Sequence, residues 1–518
     1  MRTVTSVLVL TLTLGAGLTA CSGNSPSAPS TSTSTTLRLA LSADPAPLDP
    51  DTYYEAEGLQ ITTAAYQGLL TYKPDSAEIT GLLAKSWKVS SDGKTYTFAL
   101  RTDVKFSDGT AFDAAAMKAS FERRVALAGG PAYTLAEVES TDAPDPATFV
   151  VRLKRPVAPF LDYLASPYGP VAVSPAAAKA HATGDDHGAG WLGAHTAGTG
   201  PYQLSSVVKT TRYVLTANPH YWGVKPRFAE VDFAVVPDFS TQSIELQGGQ
   251  LDMVLHGLNT RDYAAIKQNP GFQVRYLPTL FKTQLWVNPD SAVFGPLAAR
   301  QALRDSLDTV ALTKQIYGDR ATASTEVYPE GMLPKGAAPD MWQANPQALT
   351  TLSGNKGKSV TIGYYGDNSL QQLANMLQIQ LQQAGLTATV RPYGPAQVFA
   401  LPAEPKQRPD ILVAAMNPDA AHVDTWMSIY QATKAPVNFL GCSVPAADKL
   451  ADAARVTVDR AESQELYTKA AREYQNSLCW INIADVRDTI AAKAGLTGWR
   501  HQMPWVFTVD LAALEPTS

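Results

Sequence analysis

Charge is scarce in this chain. Asp, Glu, Lys and Arg make up 17% of its 518 residues, the formal net charge is −5, and no basic run would neutralise a phosphate backbone or grip an anionic bilayer. Nucleic acid is therefore not expected as a partner. No His-Glu-x-x-His, Gly-x-Ser-x-Gly or Walker-type glycine loop occurs, so the common signatures of metalloproteases, hydrolases and nucleotide binding are absent. No self-similarity recurs at a period of about 20 to 50 residues, which excludes solenoids and propellers. The apolar run at residues 4–18 falls short of the roughly 20 residues that a comfortable membrane span requires.

What is present is the composition of a folded globular protein, with 45% hydrophobic residues and enough length for two or three domains. Arg2 ahead of the apolar run and Leu18-Thr19-Ala20-Cys21 behind it read as a removable export signal over residues 1–20. Small residues directly before a cysteine resemble the lipobox of bacterial lipoproteins. That resemblance implies a diacylglyceryl group on the Cys21 thiol, and two acyl chains anchor stably at about 0.8 kcal/mol per buried methylene. An ordinary secreted chain cut near Ala20 is the alternative. Residues 21–36 are the lipidated cysteine and a linker of Ser, Thr, Pro, Gly, Asn and Ala, which buries little and behaves as a flexible tether. With Cys21 consumed, Cys442 and Cys479 remain, either bridged in an oxidising compartment or as two buried thiols.

Alternation dominates the first part of the body. Leu37, Leu39 and Leu41 form one face of a strand that runs into the proline-stiffened loop Asp44-Pro45-Ala46-Pro47-Leu48-Asp49-Pro50. Trp87-Lys88-Val89-Ser90 and Thr95-Tyr96-Thr97-Phe98-Ala99-Leu100 alternate on either side of Asp92-Gly93, the pattern of a hairpin. Val104-Lys105-Phe106 and a second turn at Ser107-Asp108-Gly109 follow. Asp113 is then placed to cap a helix running from Ala114 towards Arg124, with Phe112 and Met117 as a hydrophobic staple. Later, residues 360–364 read as a strand, Leu370, Leu373, Leu377 and Leu381 line a helix ending at Gly385, and residues 387–390 and 411–416 read as further strands. That order argues an α/β unit with a largely buried sheet, and so a domain in the C-terminal third. A last helix, about 460–477, presents Leu466, Ala470 and Tyr474 on one face.

Several of these segments carry a family resemblance. Leu83-Ala84-Lys85-Ser86-Trp87-Lys88-Val89, Asp92-Gly93, Tyr96-Thr97-Phe98, Leu100-Arg101, Val104-Lys105-Phe106 and Asp108-Gly109 resemble the signature of family 5 extracellular solute-binding proteins, which serve ABC importers, chiefly for peptides. Leu48-Asp49-Pro50, Tyr66-Gln67-Gly68-Leu69-Leu70, Gly198-Thr199-Gly200-Pro201-Tyr202, Asn218-Pro219-His220-Tyr221-Trp222, Asn288, Arg300-Gln301-Ala302-Leu303 and Asp308 are similar to that family in the order it uses, so the likeness runs over about residues 37–500. It implies an α/β, bilobed, periplasmic-binding-protein-like fold of the class with an extra domain, with mixed sheets and a ligand cleft between the lobes. Residues 37–65, 196–282 and 488–518 then form a discontinuous lobe I, 66–195 the extra domain II, and 283–487 lobe III. The implied role is a membrane-held, outward-facing receptor, monomeric and without cofactor, that captures a short peptide or similar small solute and delivers it to an ABC permease. A lipid-anchored peptidase or esterase, and a sensor or chaperone with the same fold, are the alternatives.

In peptide-binding relatives an aspartate near an Asp-Pro pair meets the ligand's ammonium, and the similar place here makes Asp419 or Asp424 the anchor. A buried carboxylate facing an ammonium is physically sensible because each charge compensates the other outside water; a solvated loop acid is the alternative. Trp426 beside that loop and Tyr54 beyond the Asp49-Pro50 turn are candidates for an apolar wall, against ordinary core packing. Trp87, Tyr96, Phe98 and Phe106 pack one face of a sheet and mark the fold, not the site. His181, Asp185, Asp186, His187 and His195 gather in a glycine-rich stretch, but their spacing matches no zinc pattern and a solvated loop is the better reading, so no metal is expected.

Overall fold

The computed structural model describes residues 36–45, 47–333 and 341–516. Cys21, the export signal over 1–20 and nearly all of the linker over 21–36 lie outside the described residues.

Alternation in the first strand does what it predicts. In Thr36–Leu41, Leu37, Leu39 and Leu41 are buried while Arg38 faces out to pair with Asp252 at 2.8 Å. This strand lies parallel to Glu230–Val235 in a sheet of eleven strands. The sheet runs from Thr387–Pro392 through Ser359–Tyr365, Ile411–Met416, Phe272–Val287, Trp480–Lys493, Met253–Val254 and Thr36–Leu41 to Glu230–Val235, Arg212–Ala217 and Tyr202–Val208, with the short strand Ala321–Ala323 paired to Trp480–Lys493 off this path. Parallel pairing joins Ser359–Tyr365 to both of its neighbours, and antiparallel pairing holds most of the rest, so the sheet is mixed.

Two members of this sheet are unusually long. Phe272–Val287 and Trp480–Lys493 pair antiparallel along almost their whole length, with the register broken between Leu277 and Phe281. A bulge of this kind bends and twists a ladder without cutting it. The two strands therefore carry the chain continuously from the core around Leu37, Phe233 and Ile490 to the cores around Trp286 and Ile362. The strand unit of the C-terminal third is thus hydrogen-bonded into the same sheet as the first strand of the chain.

The hairpin forms as Ala84–Val89 against Thr95–Leu100, with Trp87 opposite Phe98 and Gly93 at φ 68°, a value open to glycine. Thr148–Leu153 and Val138–Asp145 complete a separate four-stranded sheet. Tyr96, Phe98 and Phe106 are buried in its core, packed by the helix Ala114–Leu127, whose N-cap Asp113 accepts the Ala116 N–H at 2.8 Å. In the helix Asn368–Gln383 the four leucines are buried as their spacing requires. The helix Arg460–Ser477 departs from expectation: Ala470 and Tyr474 are buried, but Tyr467 takes the core position while Leu466 stays at the edge. The phenol of Tyr467 has a buried carboxylate to meet, which turns that side inward. No described helix is long and apolar enough to cross a membrane.

Candidate functional site

The site begins with a buried charge network. Asp49 and Asp51, on the loop after the first strand, receive Arg123 at 2.6 and 2.5 Å, and Asp51 also receives Arg124 at 2.8 Å. Arg124 donates further to the backbone oxygens of Pro50 and Tyr168, at 3.0 and 2.6 Å. All four charges are buried, and buried charges persist only when paired and hydrogen-bonded. The network fixes the 49–54 loop and the Tyr168 turn on the end of the helix Ala114–Leu127. Gly130 completes the seat: a Cβ there would lie 2.8 Å from the ring of Tyr54, so only glycine lets that ring pass.

Held this way, Tyr54 reaches Asp419. Its phenol donates to Asp419 Oδ2, and the Tyr133 phenol donates to the same oxygen at 2.5 Å. Ser166 donates to the Asp419 carbonyl at 2.5 Å, Tyr430 to the Asn417 carbonyl at 2.7 Å, and Thr425 to the Ala420 carbonyl at 2.9 Å, which pins the loop after Ile411–Met416 in one shape. Among the described residues no donor is hydrogen-bonded to Asp419 Oδ1. Burial pushes the Asp419 carboxyl above the usual carboxylate range, against the pull of its two phenol donors. Burial and the neighbouring Asp419 charge likewise push the Tyr54 and Tyr133 phenols far up, so both stay protonated donors.

Aromatic rings surround this carboxylate at steep angles. Tyr54 meets Tyr168 at 4.9 Å and 76°, Tyr133 meets Tyr163 at 5.7 Å and 82°, and Tyr54 lies 6.2 Å from Tyr133 at 57°. Tyr430, buried beneath the loop, feels the Asp419 charge. Asp419 is 8% exposed and Tyr54 40% exposed, so the acid lies at the base and Tyr54 at the rim. Tyr168 also borders a cavity of about 20 Å³ beside Ser166 and Trp505.

The four residues proposed from sequence thus separate. Tyr54 and Asp419 come together from opposite ends of the chain. Asp424 does not join them: it is fully buried, Arg455 Nε lies 3.0 Å from both of its oxygens, and Tyr467 donates to it at 2.9 Å, which leaves no face for a ligand. Trp426 is also fully buried, against Tyr430 at 4.9 Å in the core around Trp286, and lines no open wall. Cys442 and Cys479 are joined as a disulfide with Cα atoms 6.2 Å apart. His181 and His195 lie flat on the two faces of Trp191, Asp186 accepts three backbone N–H groups, and among the described residues no His/Cys/Asp/Glu group could hold a metal ion. Tyr133, Tyr163 and Tyr168 escaped the sequence reading. For Tyr133 and Tyr168 the signal was tyrosine set among glycine and proline, in Gly129-Gly130-Pro131-Ala132-Tyr133 and Ser166-Pro167-Tyr168-Gly169, whereas Tyr163, inside the short helix Phe160–Ala165, carried none.

Residues 78–436 match the family described as Bacterial extracellular solute-binding proteins, family 5 Middle. The probable D,D-dipeptide-binding periplasmic protein DdpA of Escherichia coli (strain K12) is 36% identical over 295 residues, which are 56% of this chain and 56% of that relative's own length. Among solved structures, the periplasmic binding protein DppA from Helicobacter pylori, in complex with the peptide STSA, superposes with a TM-score of 0.80 at 22% identity, covering 93% of this chain and 98% of its own. NikA from Brucella suis, in complex with Fe(III)-EDTA, gives 0.82 at 19% identity over 93% and 100%. At these identities the superpositions speak for the fold alone, a periplasmic-binding-protein fold.

Proposed function

The chain belongs to the bacterial extracellular solute-binding proteins, family 5, and from that premise we propose that it captures a short peptide or a similar amine-bearing solute between two lobes and delivers it to an ABC permease. The observation that carries this reading is Asp419, a buried carboxylate that two phenols hold without neutralising. A ligand ammonium is the charge it lacks. The peptides named with DppA and DdpA are in keeping with such an anchor.

The domain assignment has support of the same kind. The expected boundaries after residues 282 and 487 fall inside the two long strands, close to the register break between Leu277 and Phe281, where a bend costs least. Two strands that cross between lobes let them close as bodies around a ligand that touches both, and a ligand of that kind favours the closed state. The lipid on Cys21 and its linker hold the receptor near its permease and raise the effective concentration there.

Calorimetry tests the anchor. Dialanine and its C-terminal amide are expected to bind the intact protein, N-acetyl-dialanine amide not, and Asp419→Asn to weaken the binders by about a hundredfold, roughly the cost of a lost charge partner. Unchanged affinity in Asp419→Asn removes the role. For the anchor, Cys21→Ala is expected to move the protein from the membrane to the soluble fraction, and continued sedimentation with membranes refutes lipidation.

A further inference from the structure

We propose that the tyrosine box over Asp419 is built for an alkylated ammonium on a ligand whose nearby groups carry no negative charge. The proposal rests on the receptor reading above and deepens it by naming the ligand class. Four observations lead to it.

The first is the shape. The ring contacts Tyr168–Tyr54, Tyr54–Tyr133 and Tyr133–Tyr163 cross at 76°, 57° and 82°, so the rings near the acid stand as walls and not as a stack. Walls at such angles let a guest meet several ring faces at once, and ring faces carry the negative end of the aromatic quadrupole. The second is access. Tyr54 is 40% exposed, while Asp419 is 8% exposed, so the Tyr54 ring reaches solvent beside a nearly covered acid.

The third is charge. The charge that bears on Tyr54, Tyr133, Tyr168 and Tyr430 alike is that of Asp419, and Glu55 adds a second acidic charge near Tyr168. Two basic groups come near the rings, and both are committed: Arg455 near Tyr163 to Asp424 and Asp452, and Arg124 at the Tyr168 carbonyl to Asp51. A zwitterion's carboxylate placed here would face the like charge of Asp419, with the neighbouring cations already paired.

The fourth is hydrogen bonding. Asp419 Oδ2 is already taken by two phenols, which leaves Oδ1 as the carboxylate's free acceptor. A primary ammonium brings three N–H donors and leaves water at a loss unless each finds an acceptor. A dimethyl or trimethyl ammonium brings one or none, surrenders little hydration, and gains the ring faces. Charge at the base and rings on the sides are the two things such a cation uses.

A matched ligand series decides the matter by calorimetry on the intact protein: dialanine, dialanine amide, N,N,N-trimethyl-dialanine amide and N-acetyl-dialanine amide. The trimethyl amide is expected to bind at least about tenfold more tightly than dialanine, and no more weakly than dialanine amide. Tyr168→Leu is expected to weaken the trimethyl amide about three- to tenfold, while Tyr133→Phe, which keeps the ring, changes it less than about threefold and Tyr133→Leu more. If dialanine binds tighter than both amides, the alkyl-cation box is overturned while the receptor reading stands. Equal effects of Tyr133→Phe and Tyr133→Leu also overturn it, since the ring faces then do nothing. If none of the four ligands binds, the box and the anchor fall together.

Discussion

Asp419, on the loop after Ile411–Met416, and Asp424, in the short helix Val423–Trp426, stand five residues apart in different surroundings. Asp424 is a structural charge: Arg455 Nε lies 3.0 Å from both of its oxygens. Arg455→Met therefore strands a fully buried carboxylate and is expected to cost about 3–5 kcal/mol in urea unfolding, with ligand affinity of the folded fraction unchanged. Asp419 is held above the usual carboxylate range by burial. A folded-state pKa raised in this way favours folding in acid, fully so below the unfolded value, and that contribution is lost as pH rises through the folded value. Ligand binding has the opposite need, because a cation calls for the ionised acid. Affinity for dialanine amide is expected to fall as pH is lowered through the Asp419 range, and a calorimetric pH series on Asp419→Asn should show that fall abolished. A pH dependence that survives in Asp419→Asn would assign it to another group.

Among the elements, the foot of the strand Trp480–Lys493 bears the most on the site. Cys479 ties it to Cys442, and both are buried in the core that contains Trp286, Trp426 and Tyr430 under the Asp419 loop. The bridge closes a separation of 37 residues, for which chain entropy suggests about 4 kcal/mol. Cys442→Ser with Cys479→Ser is expected to lower stability by about 2–4 kcal/mol, read as an earlier urea midpoint at unchanged slope. Two alkylatable thiols in the native, unreduced protein would contradict the bridge. The helix Ala114–Leu127 matters through its far end, where Arg123 and Arg124 clamp the Asp49–Asp51 loop and so aim Tyr54.

For the molecule as a whole, the continuous sheet is the central feature. Phe272–Val287 and Trp480–Lys493 carry hydrogen bonds from one group of cores to the other, with irregular pairing near Thr279. Closure about that irregularity is expected to shrink the radius of gyration on adding dialanine amide, and small-angle scattering checks it. An identical radius with and without saturating ligand would refute lobe closure. The helix and strand faces of this architecture were legible in the sequence because burial on one side of a regular element repeats with a fixed local period. Leu37, Leu39 and Leu41, the Trp87–Phe98 hairpin and the leucines of Asn368–Gln383 all follow it. Leu466 did not, because a buried phenol with a carboxylate to reach outweighs an edge leucine.

The sequence by itself determined the family, the export signal's reading, the local elements and the segment that carries the two candidate acids, all of which depend on neighbours in the chain. Only the tertiary structure decided that Asp424 pairs with Arg455 while Asp419 meets two phenols. Asp419 and Asp424 are the same residue type five positions apart, and no local period separates them; what does is Arg455, Tyr467, Tyr54 and Tyr133, brought in from four distant segments. A buried charge takes its role from its partners, and those partners are chosen by packing across the whole chain.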